Sequence, residues 1–108
     1  MDAIALETNA TEVANVLKAT ANPKRLMVLC RLVQMGRATV NDLAASVGLS
    51  QSALSQHLAV MRDEGLVTFT RDGQTLWYQV GDARIVTLLD TLQKLYCNTE
   101  IEKDRSLC

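Results

Sequence analysis

The sequence has few aromatic residues, a single proline, a single histidine and almost no net charge. With one Phe, one Trp and two Tyr, its core must be largely aliphatic. No apolar stretch approaches the ~20 residues of a membrane-spanning helix, and the first residues lack the basic start of a signal peptide. We therefore expect a cytoplasmic protein with no membrane partner.

The formal net charge of −1 does not by itself indicate a nucleic-acid partner, so any basic surface must be local. One such cluster is formed by Lys18, Lys24, Arg25, Arg31 and Arg37. It fits a basic patch and a solvated helix face equally well. Charge alone decides nothing about function.

Motifs that carry catalysis or hold cofactors are also missing. The chain has no glycine-rich phosphate loop and no cofactor motif, and His57 has no acidic partner for general-base chemistry. A lone histidine is a poor metal site as well, so for His57 we expect a hydrogen bond to a phosphate or within the fold. We expect no cofactor and no enzymatic activity. Three cysteines, Cys30, Cys97 and Cys108, are an odd number, which argues against a structural disulfide framework.

Hydrophobic periodicity predicts four helices, a β-hairpin and a fifth helix (α-α-α-α-β-β-α) in one domain over residues 1–98, followed by a polar tail at 99–108. The first helix is predicted over residues 8–20. Asn22-Pro23 supplies the cap and first-turn proline of the second helix. Its apolar stripe comprises Leu26, Leu29, Cys30 and Val33. This spacing places Cys30 on the core side of the helix.

The middle of the chain has the pattern of a helix-turn-helix. Thr39 and Ser50 cap two helices on either side of a turn at Gly48. In the second helix the buried stripe is Leu54, Leu58 and Met61, and the short polar residues left facing outwards are Gln51, Ser52, Ser55 and Gln56. The start of a recognition helix enters the major groove, where Gln can bond adenine and Ser can bond bases or phosphates. These residues therefore predict double-stranded DNA as the partner, against the alternative of an ordinary amphipathic helix.

A hairpin and a last helix follow. Segments 67–71 and 75–80 are rich in β-branched and aromatic residues and flank Asp72-Gly73, which favours a tight turn. This hairpin would be the wing of a winged helix-turn-helix, with Arg71 either contacting DNA or remaining a solvated cation. Asp82 caps the last helix, whose apolar stripe comprises Ile85, Leu88, Leu89, Leu92 and Tyr96.

Two segments carry a family resemblance. Residues 18–26 read Lys-Ala-Thr-Ala-Asn-Pro-Lys-Arg-Leu, and residues 49–58 read Leu-Ser-Gln-Ser-Ala-Leu-Ser-Gln-His-Leu. Together they resemble the ArsR/SmtB family of bacterial repressors, and the likeness extends from about Thr11 to Cys97. The resemblance implies a winged-helix homodimer whose first and last helices form the interface. Such a dimer would bind a nearly palindromic operator and release it when an inducer binds.

The family's metal sites are not matched. Metal-sensing relatives have a Cys-x-Cys pair where this chain has Thr39-Val40-Asn41. Other metal sensors use Asp-x-His and later ligands on the last helix, where this chain has Asp82-Ala83-Arg84 and then Leu95 and Asn98. Because thiolate and imidazole ligands are missing from both sites, we expect no regulatory metal.

The positions of Cys30 and Cys97 resemble the persulfide-responsive branch of the family (SqrR/BigR/HlyU-like). That resemblance implies that reactive sulfur species are the inducer and join the two thiols through a disulfide or polysulfide bridge, after which the repressor leaves DNA. A purely structural role for Cys30 stays open, and Cys108 has no counterpart in the motif. The alternatives are a metal-responsive or inducer-independent regulator of the same family, and a winged-helix protein-interaction module that does not bind DNA.

Overall fold

The computed structural model describes residues 2–97; the predicted tail at 99–108, with Cys108, lies outside the described residues. The described chain is mainly helical with a small antiparallel sheet, which confirms the predicted fold class. Its elements in order are α1 (Ala3–Thr8), α2 (Ala10–Thr20), α3 (Pro23–Met35), β1 (Ala38–Thr39), α4 (Val40–Val47), α5 (Gln51–Asp63), β2 (Val67–Asp72), β3 (Thr75–Val80) and α6 (Ala83–Tyr96). No helix among residues 2–97 is long and apolar enough to cross a membrane.

Local sequence explains most helix boundaries. The side chain of Asn22 accepts hydrogen bonds from two N–H groups in the first turn of α3, and Pro23 is its first residue. Thr39 and Ser50 each accept a bond from the N–H three residues on, at 3.1 Å. Gly48 ends α4 in the left-handed conformation, with φ 71°, which favours glycine. These predicted caps are confirmed.

The N-terminal helix differs from the prediction. Residues 8–20 were expected to form the first helix, but the chain is helical from Ala3, breaks at Asn9 and resumes at Ala10. The extra helix begins because the Asp2 carboxylate accepts bonds from the N–H groups of the first turn, at 3.0 and 3.2 Å. It contains no buried residue, so hydrophobic periodicity could not reveal it.

The wing is a three-stranded sheet rather than a bare hairpin. β1 pairs antiparallel with β3, and the strand order is β1-β3-β2. A strand of two residues is too short to produce a period-two pattern, so the sequence did not reveal it. β1 joins the start of the helix-turn-helix directly to the wing.

The hairpin turn is shifted by one residue from the predicted Asp72-Gly73. Asp72 pairs with Thr75, so the two loop residues are Gly73 and Gln74. Gly73 has φ 63°, and positive φ at only the first of two loop residues is the pattern of a type II′ turn. Gly73, which tolerates positive φ because it has no side chain, was placed correctly in the turn, whereas Asp72 belongs to β2.

The core side of α3 also differs from the prediction. The fully buried residues are Val28, Leu29 and Leu32, whereas Cys30 is half-buried and Val33 is 40% exposed. A spacing of i, i+3, i+4, i+7 fits the observed arc, which starts at Arg25, as well as it fits the predicted one. Packing against α4, α5 and β3 selects between them.

Candidate DNA-binding face and cysteine cavity

The recognition helix α5 is oriented as predicted. Its buried side chains Leu54, Leu58 and Met61 are each at most 1% exposed, and they pack in one cluster with Leu43 and Val47 of α4. This orientation leaves Gln51, Ser52, Ser55 and Gln56 exposed at the start of the helix. The free N–H groups of a helix N-terminus also favour phosphate. The face therefore offers donors and acceptors suited to both bases and backbone, and its contact with DNA stays a prediction.

One member of this face is tied to α4. The Gln51 side chain donates a hydrogen bond from Nε2 to Oδ1 of Asn41. The bond joins the two helices of the motif on their exposed side. Asn41 thus belongs to the face that would approach DNA. The sequence alone had indicated only that Asn41 stands where metal-sensing relatives have a cysteine ligand.

His57 is held inside the fold. Its side chain is half-buried, and its Nδ1 accepts a hydrogen bond from Nε of Arg25 at 3.1 Å. Arg25 also donates from Nη1 to the carbonyl oxygen of Ala19 at 3.3 Å. Of the two expected roles for His57, the bond within the fold is present. Through Arg25 the recognition helix is tied to the ends of α2 and α3.

The basic cluster of the sequence is mostly committed to internal contacts. Lys24 donates from Nζ to the carbonyl oxygen of Val47 at 2.7 Å, where a cation suits the negative end of the α4 dipole. Arg37 lies over the Trp77 ring, 4.4 Å from its centroid. Arg71, by contrast, is exposed near the end of the hairpin, as a DNA-contacting wing residue would be. Three of the five basic side chains in the cluster (Lys24, Arg25 and Arg37) thus make contacts within the fold.

Cys30 and Cys97 line the same cavity. It lies between α3 and α6 and has a volume of about 440 Å³. Both residues are half-buried. Cys30 has a free thiol and Cys97 is disulfide-bonded, so the two are not bonded to each other. The structure places both predicted sensing residues at one site, although they lie on different helices that are far apart in the chain.

The environment of Cys30 disfavours its thiolate. Burial raises the pKa of the Cys30 thiol, and the positive charge of Arg31 partly offsets this effect. Since the thiolate is the reactive form, Cys30 should react slowly near neutral pH.

Alkylation kinetics test this environment. In reduced protein, the rate of Cys30 alkylation by iodoacetamide should keep rising with pH beyond about 8.5, the pKa of an ordinary thiol. Arg31→Gln should shift the profile further upwards, because it removes the charge that lowers the pKa. Peptide mass spectrometry can follow Cys30 alone. A plateau at or below neutral pH would contradict the expected effect of burial.

The positions on α6 that bind metal in metal-sensing relatives make other contacts in this chain. Arg84 donates a hydrogen bond from Nη2 to Oδ2 of Asp82 at 2.7 Å. The same Nη2 forms a salt bridge with Oε1 of Glu12 in α2 at 3.6 Å. Hydrogen bonds from Arg84 lower the pKa of Asp82. Within residues 2–97, no group of three or more His, Cys, Asp or Glu side chains is arranged to hold a metal ion. A cation in an ion pair thus stands where the resemblance would place an imidazole.

A helix-turn-helix with an exposed Ser/Gln face and a β-sheet wing defines the class of winged helix-turn-helix transcription regulators. The family model for bacterial regulatory proteins of the arsR family matches residues 22–68. The HTH-type transcriptional regulator YgaV of Escherichia coli is 41% identical over 92 residues, covering 85% of this chain and 93% of the relative. The chain therefore belongs to the ArsR family, and it is a DNA-binding transcriptional regulator.

Solved structures agree with this assignment. The transcriptional repressor BigR from Xylella fastidiosa superposes with a TM-score of 0.83 at 36% identity, covering 90% of this chain and 98% of that one. Reduced HlyU from Vibrio cholerae superposes with a TM-score of 0.78 at 39% identity, covering 85% and 96%. The likeness extends over nearly the whole of each chain, so it includes the helices that flank the cysteine cavity.

Proposed function

We propose that the chain is a homodimeric repressor, not an enzyme, that leaves a nearly palindromic operator when Cys30 and Cys97 become linked by sulfur. The observation that carries the proposal is the cavity that both cysteines line. The transcriptional repressor BigR and reduced HlyU are among the structural relatives, which supports a repressor that has a distinct reduced state.

The bridge can form by sulfur transfer alone. A cysteine thiolate attacks the outer sulfur of a persulfide R–S–SH, giving Cys–S–SH and the carrier thiolate R–S⁻. After the same reaction at the second cysteine, one persulfide anion attacks the sulfur on the other Cβ and expels HS⁻. The result is a bridge of three sulfur atoms. Because Cys97 is disulfide-bonded in this structure, that disulfide must be reduced before this chemistry begins.

Bridging would act through α6. Linking its end to α3 pulls two helices of the cavity wall together. α6 also belongs to the proposed dimer interface, so the pull would change the separation of the two recognition helices. Successive major grooves lie about 34 Å apart, and only a dimer with matching spacing can occupy both.

Operator binding during sulfur treatment tests the whole proposal. Reduced protein should bind its operator with an affinity that falls steeply with salt, because phosphate contacts release counterions. It should lower transcription from a reporter promoter carrying that operator. Persulfide should abolish both effects, and dithiothreitol should restore them. Salt-independent binding would favour the protein-interaction module, and raised transcription would favour an activator, which is how HlyU is named.

The dimer has its own test. Large apolar side chains of α1, α2 and α6 are exposed: Ile4, Leu6, Val13, Leu17, Leu95 and Tyr96. Exposed apolar side chains on these helices favour an interaction surface there, and Tyr96, predicted on the apolar stripe of the last helix, is 73% exposed. Leu17→Glu should therefore convert the dimer to a monomer in light scattering. Met35→Glu is the control, because Met35 is similarly exposed on α3, outside this surface. A wild-type protein that is monomeric at micromolar concentration would rule out the dimer.

Zinc should have no regulatory effect. Thr39, Asn41, Arg84 and Leu95 occupy the positions of the family's ligands, and Arg84 is already paired with Asp82. We expect substoichiometric metal in the purified reduced protein, and the same operator affinity with and without added zinc. Tight stoichiometric zinc accompanied by loss of DNA binding would restore the metal-sensor alternative.

A further inference from the structure

The lining of the cysteine cavity restricts what can enter it. Its volume of about 440 Å³ lies within the usual range of small-molecule sites. The largest group of lining side chains is aliphatic (Leu26, Val33, Val86, Leu89 and Leu92), beside a few polar ones such as Gln34 and Thr87. A sulfur donor must therefore bring its carrier group into a mainly apolar space before its sulfur reaches Cys30.

Charged groups around the cavity do not favour an anionic carrier. Among the described residues, the lining contains one charged side chain, the carboxylate of Asp90, and Lys94 pairs with it at 3.0 Å. Arg31, next to Cys30 in the chain, donates from Nη1 to Oε1 of Gln34 at 3.2 Å and is not part of the lining. A carboxylate entering the cavity would lose water without gaining a cationic partner from the lining residues within 2–97, which is unfavourable.

We propose that this cavity selects sulfur donors with an uncharged, apolar carrier, so that alkyl or aryl persulfides modify the cysteine pair faster than persulfides whose carrier bears a carboxylate. The inference rests on the proposed function and adds the chemical class of the inducer. In each transfer the cysteine thiolate attacks the outer sulfur of R–S–SH, the S–S bond of the donor breaks, and R–S⁻ leaves with the electron pair. The product is Cys–S–SH, and no further oxidant is needed.

A matched pair of donors tests the selection. Butyl persulfide and 3-carboxypropyl persulfide have the same chain length and differ only in a terminal methyl or carboxylate group. With reduced full-length protein, intact mass spectrometry should show persulfide transfer to Cys30 and Cys97 at least about tenfold faster from the butyl donor, because the carboxylate must be desolvated. Release of the operator should follow the same order.

A matched pair of variants distinguishes the effect of the cavity on the transfer rate from the intrinsic reactivity of the cysteine thiols. Val33→Phe narrows the cavity at an exposed position, so the fold should tolerate it. Met35→Phe is the control, because Met35 is similarly exposed on the same helix and does not line the cavity. Val33→Phe should slow transfer from butyl persulfide several-fold and leave the reaction with inorganic hydrogen disulfide, HS–S⁻, unchanged. Met35→Phe should affect neither reaction.

The possible failures are distinguishable. Equal rates for the two carriers would overturn the selection while leaving the sulfur bridge intact. The selection would also be overturned if the carboxylate donor reacted faster than the butyl donor and if this advantage were lost in Arg31→Gln. If no donor, including hydrogen disulfide, modifies Cys30 or Cys97, the proposed function itself fails and the selection fails with it.

Discussion

Persulfide treatment should no longer release the operator from the Cys97→Ser protein, whereas the untreated variant should bind as wild type does. The same result is expected for Cys30→Ser, because a bridge needs both sulfur atoms. In reduced protein neither serine should disturb the fold, since both positions are only half-buried at the cavity. Fluorescence anisotropy of a labelled operator measures binding, and mass spectrometry of peptides identifies the bridge.

With every protein fully reduced before treatment, Cys108→Ser is the control for these variants and should respond as wild type does. Peptides joining Cys30 to Cys97 with an extra sulfur mass are expected only when both cysteines are present. Release of DNA from persulfide-treated Cys97→Ser protein would remove the sensing half of the proposal. The DNA-binding half would stand, because it depends on α5 and not on the cavity.

Changing Ser55 and Gln56 together to alanine should weaken specific operator binding by roughly tenfold or more, because one good bidentate base contact contributes about 1–3 kcal/mol of discrimination. Binding to unrelated duplex DNA should change little, since phosphate contacts carry most of that affinity. Both side chains are exposed, so the variant should keep its fold and dimeric state. Anisotropy titrations against operator and scrambled duplexes give the two affinities.

A double variant elsewhere controls for the loss of exposed polar groups. Thr11→Ala with Asn15→Ala removes two exposed side chains of α2, and operator affinity should be unchanged. If Ser55→Ala with Gln56→Ala also leaves the affinity unchanged, α5 is not the element that reads the bases. Gln51 is left in place in this experiment because its bond to Asn41 also supports the motif.

The sequence predicted well those parts of the structure that depend on interactions between residues close together in the chain. The caps at Asn22, Thr39 and Ser50 act on N–H groups two or three residues away, so their effect is independent of the rest of the fold. The buried stripe of α5 was also predicted correctly, because only one arc of that helix is apolar. These two features are what identified the helix-turn-helix and its outward Ser/Gln face.

On α3 the same reasoning failed because the helix is apolar on more than one arc. Cys30 was predicted on the core side, yet Val28, Leu29 and Leu32 are the buried residues. The contact of His57 with Arg25 follows from the same rotation, which puts Arg25 on the inward arc. A one-residue difference in the buried arc thus leaves Cys30 at the cavity and brings Arg25 to His57.

By itself, the sequence determined the starts of α3, α4 and α5, the outward Ser/Gln face of α5 and the family, because capping groups, turn glycines and a single apolar stripe act over a few residues. Only the tertiary structure decided that Cys30 lies half-buried at the edge of the core and that α6 brings Cys97 to the same cavity. That choice depends on how helices far apart in the chain pack around Leu29 and Leu89. Packing of this kind is a property of the whole core, and no local pattern encodes it.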